Sequence, residues 1–318
     1  MNRPSGTALF AFAIVCVVWG TTYLAIRVAI ETIPPFALTA MRFIVAGLAM
    51  LAIARFRGER IPTDAKTLGN LAVVAFLMVA IGNLAVVWAE QWVPSGLAAL
   101  FVATAPFWMA LIELFRTGGE RVSLRSGIGM MIGFGGVAML VTPKGSGGAF
   151  DMHFVAGVLV MQIGSICWQL GSVHSKYKLK PVPLLASASL QMLFGGIMVG
   201  IVSLLIGEPA HTRFTLTTFA ALAYLTIFGS IVAYSAYIYA LAHMRTSQSS
   251  LYAYVNPVIA VLVGWLILNE QLTWVSIVAM SVILIGVALV QSGPRVYAER
   301  SEASPVTPLL ASERVEHV

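Results

Sequence analysis

Hydrophobic residues in this chain come in long unbroken stretches and do not alternate with polar ones. Ten runs follow one another, at about 8–30, 35–55, 68–91, 96–116, 124–142, 154–174, 184–206, 215–240, 247–268 and 274–292. Each is close to the ~20 residues with which an α-helix crosses ~30 Å of hydrocarbon. None has the period-two pattern of a membrane β-strand. The runs are therefore predicted as ten transmembrane helices, which satisfy their own backbone in lipid. Ser95 and Thr246 are expected to cap the fourth and ninth helices, and Ser123 and Thr273 the fifth and tenth.

The pattern repeats. Adding 149 to Trp19, Arg27, Arg42 and Gly47 gives Trp168, Lys176, Gln191 and Gly196 without a gap. Further on, Ser95 pairs with Thr246 and Pro106 with Pro257 at an offset of 151, and Gly136-Val137-Ala138 with Gly286-Val287-Ala288 at 150. A repeat of this length governs the fold. Five helices per repeat is an odd number, so the second repeat enters the membrane upside down. The expected fold is an all-α polytopic membrane protein with ten transmembrane helices as two inverted five-helix repeats, 1–146 and 147–293. A disordered cytoplasmic tail is expected at 294–318, where charge, Ser and Pro mix. The first run begins like a signal peptide, after Arg3, but its echo lies mid-chain, so it is expected to be a retained helix. Inverted repeats around a midplane site are the build of alternating-access carriers.

Composition agrees with a lipid solvent. The chain is 59% hydrophobic and 10% charged, with mean hydropathy +0.89, against about 25% charged residues in soluble domains. Membrane lipid is thus the surrounding partner. With a cytoplasmic N-terminus, the inside loops and tail carry Arg3, Arg55, Arg57, Arg60, Lys66, Arg116, Arg121 and Arg125. They also carry Lys176, Lys178, Lys180, Arg245, Arg295, Arg300 and Arg314. The outside loops carry only Lys144 and Arg213. The positive-inside rule then puts both termini in the cytoplasm. It also accounts for the net charge of +6, so no nucleic-acid partner is expected.

Polar and aromatic residues at membrane depth are the candidate substrate-binding groups. They are Trp19, Thr22 and Tyr23 in the first helix, and Asn83 and Trp88 in the third. The sixth contributes Trp168 and Gln169, the eighth Tyr234 and Tyr237, and the ninth Tyr252 and Asn256, which share a face with Ser249. Rings supply area and attract an ammonium, while amides and hydroxyls orient a small solute. The competing account is interhelical hydrogen bonding and interfacial aromatic belts; Trp92, Trp265 and Trp274, near helix ends, are assigned to the belt. Arg27, Arg42 and Glu90 are costly charges near the membrane and form a candidate gate or substrate-carboxylate contact, or else a static ion pair. Glu31, one turn beyond Arg27, is a further possible partner. Pro106 and Pro257 are expected to kink their helices, as hinges or as fixed bends lining a cavity. Gly129 with Gly133, and Gly196 with Gly200, are four apart, a spacing that lets helices approach closely in lipid.

Catalytic patterns are missing from the sequence: it has no metal-ligand spacing and no phosphate-binding glycine loop. Neither an enzyme activity, a cofactor nor a metal is expected, and no disulfide follows from Cys16 and Cys167. A membrane transferase would need a paired acid or metal motif; a passive channel would conduct without saturation. Without a nucleotide site, coupling would come from an ion or from the substrate's own gradient.

Taken together, several features resemble the drug/metabolite transporter superfamily, in its ten-helix EamA-type branch. They are Trp19-Gly20 in the first helix, Arg42-Phe43 at the start of the second, the prolines Pro106 and Pro257, the turns Gly119-Glu120 and Asn269-Glu270, and the glycine-rich fifth and tenth helices. The resemblance covers roughly 8–292. The second repeat departs from the first in having Gln191 in place of Arg42 and no Trp-Gly pair. Members of this family export amino acids and other small metabolites. The resemblance therefore implies a multi-pass inner-membrane secondary transporter, working as a monomer by alternating access through a central cavity. It would export amino acids or related small metabolites; export of lipophilic drugs or other metabolites is the alternative.

Overall fold

The computed structural model describes residues 4–93, 95–116, 119–140, 152–179, 182–268, 273–292 and 296–297. Lys144, Lys180, Asn269-Glu270, Arg295, Arg300, Arg314 and the 146/147 repeat boundary lie outside them, as do the side chains of Glu120 and Trp265. In chain order the helices are α1 (Gly6–Ala29), α2 (Pro35–Phe56), α3 (Ala65–Ala89), α4 (Ser95–Val102), α5 (Ala105–Phe115) and α6 (Leu124–Leu140). They continue with α7 (Met152–Lys178), α8 (Leu184–Leu205), α9 (Leu216–His243), α10 (Thr246–Ser249), α11 (Tyr252–Leu268) and α12 (Trp274–Ser292). Among the described residues, α1, α2, α3, α7, α8, α9 and α12 are the seven helices long and apolar enough to cross a membrane. The rest of the regular structure is a 3-10 turn at Glu208–His211 and a two-residue antiparallel pairing of Glu120–Arg121 with Val296–Tyr297. That pairing gives a strand to two residues of the segment expected to be a disordered tail.

Four predicted runs depart from plain helix. The run at 96–116 is broken at Ala103–Thr104 into α4 and α5. Pro106 therefore stands in the first turn of α5, where its missing N–H is least costly, and not in a helix interior. The run at 247–268 breaks after one turn, at Ser250–Leu251, and Pro257 lies inside α11. α3 and α9 each carry a π-helical stretch, Ala75–Asn83 and Leu225–Val232, starting 150 residues apart. Ser123 and Thr273 cap as expected, accepting from the backbone N–H of Ser126 at 3.1 Å and Ser276 at 3.2 Å. Ser95 and Thr246 are instead the first residues inside α4 and α10; Arg245 is the N-cap of α10.

Helices α2 and α8 begin after prolines, Pro34 and Pro183, and so have no side-chain cap of their own. Each borrows a carboxylate from the other half. Glu208 accepts from the N–H of Ala37 at 2.6 Å and of Phe36 at 3.3 Å at the start of α2. Glu59 accepts from the N–H of Ala186 at 2.9 Å at the start of α8. Both glutamates and both capped alanines are 149 residues apart. Negative charge at a helix N-terminus is stabilising.

The same reciprocity governs packing. A Cβ on Gly47 would lie 2.8 Å from the nitrogen of Leu193, and one on Gly196 would lie 2.8 Å from the nitrogen of Ile44. Helices α6 and α12 cross as closely: a Cβ on Gly136 would come 2.9 Å from the Ile283 nitrogen, and one on Gly286 2.5 Å from the Gly133 nitrogen. Small residues permit this approach, and in lipid close packing is what holds helices together. Gly157, Gly164 and Gly171 similarly let α7 lie against α3.

Gly136 and its neighbour Gly135, which faces open space, give a paired prediction. Gly136→Ala should destabilise the protein by about 1–3 kcal/mol through overpacking, whereas Gly135→Ala should leave it unchanged or slightly stabilised. Thermal denaturation of the two purified variants in one detergent checks this.

Candidate functional site

A cavity of about 80 Å³ lies among α1, α2, α3, α4, α5, α7 and α11, against the second half of α1. Trp19, Thr22 and Tyr23 of α1 line it, with Arg42 of α2 and Asn83 of α3. From the second half come Trp168 and Gln169 of α7 and Tyr252 and Asn256 of α11. Nine of the predicted site residues are thus brought together around one space. Gly82 and Gly164 complete the wall where α3 and α7 touch.

Four rings from four helices cluster at the cavity, and three of them, Trp19, Trp168 and Tyr252, are in its wall. Trp19 meets Trp168 edge-on at 5.4 Å, Tyr252 at 4.9 Å and Tyr237 at 5.2 Å. Tyr237 also lies 5.6 Å from Trp168 and 5.5 Å from Tyr252. Its hydroxyl shares a 2.7 Å hydrogen bond with Ser172, which donates to the Trp168 carbonyl. Tyr234 stands one layer away, 6.1 Å from Trp168, and donates to the Gln191 carbonyl oxygen at 2.8 Å. Tyr234 and Tyr237 therefore back the cavity without lining it. Trp88 is elsewhere: it lines an apolar groove with Phe36, Leu84 and Ile163 and meets Trp92 edge-on at 4.5 Å.

The two tryptophans differ. The indole N–H of Trp19 donates to the Gly229 carbonyl at 3.0 Å. The π-helical ladder of α9 shifts that carbonyl out of ordinary helical register. The indole N–H of Trp168 is buried and has no partner within hydrogen-bond distance among the described residues. Neither do both side-chain amide atoms of Gln169 nor Oδ1 of Asn83. All three residues line the cavity. Buried polar atoms without partners are uncommon and call for an explanation.

Arg42 is 3% exposed. Its Nε donates to Ser230 Oγ at 2.7 Å, and its guanidinium sits over the Phe43 ring at 4.8 Å. Gly229 makes room for it, since a Cβ there would lie 2.9 Å from Nη2. Among the described residues no carboxylate forms a salt bridge with Arg42. Its counterpart Gln191 is satisfied internally by Ser187 and Tyr234, so the first half alone supplies the cavity's charge. With its amide turned so that nitrogen faces acceptors, Asn256 donates to the carbonyls of Tyr252, at 2.9 Å, and Cys16, at 3.2 Å, tying α11 to α1.

The gate candidates are arranged differently from an Arg–Glu pair. Arg27 donates to the backbone carbonyl of Glu90 at the end of α3. Lys176, 149 residues on, does the same to the carbonyl of Met244 at the end of α9. Both are cations at helix C-termini, where they are favourable. Glu31 forms no salt bridge with Arg27 among the described residues. Gln162 had no signal in the sequence beyond being polar at depth. It donates to the Phe101 carbonyl at 3.1 Å and accepts from Thr104 at 2.9 Å and Trp108 at 3.0 Å, holding the α4–α5 break beside the cavity. Gly229 and Ser230 were likewise missed, because the π-helical turn that presents them has no sequence signature.

The sequence profile of the EamA-like transporter family matches this chain twice, at residues 6–142 and 155–292. The chain is similar to the uncharacterized inner membrane transporter YedA of Escherichia coli, with 37% identity over 98% of each chain. It is also similar to the uncharacterized transporter YoaV of Bacillus subtilis, 21% identical over 81% of this chain and 88% of that one. A solved crystal structure aligns with a TM-score of 0.75 and 20% identity, covering 91% of this chain and 96% of the other, which speaks for the fold.

The unequal tryptophans yield a stability prediction. Trp19→Phe should cost about 1 kcal/mol by removing the bond to Gly229, while Trp168→Phe, which removes an unpartnered donor, should cost less or be neutral. Melting temperatures measured without added solute check the ordering.

Proposed function

The chain belongs to the EamA-like transporter family, and on that premise we propose that it exports amino acids or closely related small metabolites across the bacterial inner membrane by alternating access. Ten transmembrane helices in two inverted halves, with both termini in the cytoplasm, are part of this reading. The twofold family match and the reciprocal contacts of α2 with α8 and α6 with α12 support the inversion. The clustering of Lys and Arg in alternate loops supports the orientation. The inner-membrane setting is supported by the name of the Escherichia coli relative.

The observation that carries the substrate class is Arg42: a buried guanidinium with no carboxylate partner among the described residues, facing a cavity walled by aromatic rings and by the unbonded polar atoms of Trp168, Gln169 and Asn83. A zwitterion answers each need. Its carboxylate pairs with Arg42, and charge-assisted bonds of this kind are the strong ones. Its ammonium reaches the acceptor oxygens of Asn83 and Gln169 and the faces of Trp19 and Trp168. Its side chain packs on Tyr252 and Ile26. In this state the Trp19 indole is held by α9 and the Trp168 indole is free. In the mirror state the roles exchange, with Trp168 donating to the π-helical stretch of α3, and the cavity opens toward the other side.

Purified protein in liposomes loaded with a panel of unlabelled amino acids should show saturable counterflow of some of them. Arg42→Gln should raise the half-saturation concentration roughly 30-fold or more, the lower end of what losing a buried charge-pair contact costs. Full transport by the variant would remove Arg42 from the site. The absence of exchange for every amino acid, from folded protein, would reject the substrate class in favour of lipophilic solutes.

A further inference from the structure

Glu90 is the C-cap of α3, its side chain is 0% exposed, and neither carboxyl oxygen has a hydrogen-bond partner. Its structural work is done by its backbone carbonyl, which takes the Arg27 guanidinium. The other half shows what the fold requires at such a place. There the C-cap of α9 is Met244, whose carbonyl takes Lys176 and whose side chain is apolar and 3% exposed. A carbonyl is needed; a carboxyl is not. Glu90 thus stands as an acid where the fold accepts a thioether.

The surroundings offer the carboxyl little. From α1, Arg27 and Tyr23 act on it electrostatically. Arg27 is itself exposed, so solvent and headgroups screen its charge. Tyr23 is buried and lines the cavity. On α7, Gly157 packs against Ala89 and Val93, the neighbours of Glu90 in sequence, and the titratable His153 stacks on Trp92 at 5.7 Å. From α2 the charged residue is Arg42, committed to Ser230. Among the described residues no donor reaches the carboxyl oxygens, and an anion buried without donors is strongly disfavoured against its neutral acid.

We propose that Glu90 is the proton-binding site of this carrier, holding a proton while sealed and exchanging it when the cycle wets the Tyr23 side of the cavity. Each cycle then moves one proton against one substrate: the proton enters from the side at which α3 ends and leaves on the opposite side after the cavity has switched. This coupling rests on the carrier reading above, and two measurements keep the two separable. Infrared spectra of the reconstituted protein at neutral pH should contain the carbonyl stretch of a protonated carboxyl that is missing from Glu90→Gln and present in Glu90→Asp. That readout needs no substrate, so it stands even if no amino acid is carried; an identical band in wild type and Glu90→Gln overturns the proposal. Acid imposed outside should accelerate amino-acid exit from wild-type vesicles several-fold. The ratio of gradient-driven to gradient-free flux should fall to unity in Glu90→Gln and persist in Glu90→Asp. A ratio retained in Glu90→Gln, or a wild-type ratio of unity at every pH should Glu90→Gln fail to fold, overturns it as well.

Discussion

Every peptide group placed in hydrocarbon has to find its partner inside the protein, since one left unsatisfied costs about 1–3 kcal/mol even in ordinary protein interiors. Much of this structure answers that constraint at places where the helical ladder runs out. Pro34 and Pro183 leave α2 and α8 without caps of their own, and Glu208 and Glu59 supply them across the two halves. Arg27 and Lys176 close the ends of α3 and α9. Arg245 and Gln248 take the carbonyls of Val290 and Gln291 at the end of α12. Gln162 bridges the break between α4 and α5. Several of these repairs join one half of the chain to the other, so the devices that satisfy the backbone also fix how the halves sit together.

The cavity lies where the ladder is irregular. The two π-helical stretches border it, one bringing Gly82 and Asn83 to its wall and the other presenting the Gly229 carbonyl to Trp19 and Ser230 to Arg42. A π-turn shifts hydrogen-bond partners by one residue, and so delivers polar groups to a place an unbroken helix would keep apolar. Around this irregular centre the frame is tight. The Gly47–Leu193 and Gly196–Ile44 contacts, and those of Gly136 and Gly286, bring backbones within reach of each other.

Likeness between the halves describes the frame, and difference between them marks the site. Corresponding residues do the same structural work at Glu59 and Glu208, at Arg27 and Lys176, and at Gly47 and Gly196. They part at Arg42 against Gln191, where one carries a free charge and the other is tied to Tyr234 and Ser187. They part again at Trp19 against Trp168, one indole bonded and the other not, and at Glu90 against Met244. The cavity's charge, Arg42, comes from the first half, while its unpartnered indole and amide, Trp168 and Gln169, come from the second.

The amino-acid sequence by itself determined the solvent, the helical class and the internal repeat, because run length, low charge and a recurring offset are local or additive properties. It also singled out most of the cavity wall, since Trp19, Tyr23, Asn83, Trp168, Gln169, Tyr252, Asn256 and Arg42 are polar or aromatic at a depth where such residues need a reason. It misplaced Trp88, because hydropathy gives depth along a helix and not the direction a side chain faces. It grouped Arg27, Arg42 and Glu90 as a gate, a substrate contact or an ion pair, where the structure sends the Arg27 guanidinium to the Glu90 backbone carbonyl and leaves the carboxyl without a hydrogen bond among the described residues. Only the tertiary structure decided the π-helical turns, the caps exchanged by Glu59 and Glu208, and which of two equivalent tryptophans is satisfied. Each of these depends on a partner more than a hundred residues away or on a one-residue shift in a hydrogen-bond ladder, and neither leaves a trace in the order of apolar and polar positions.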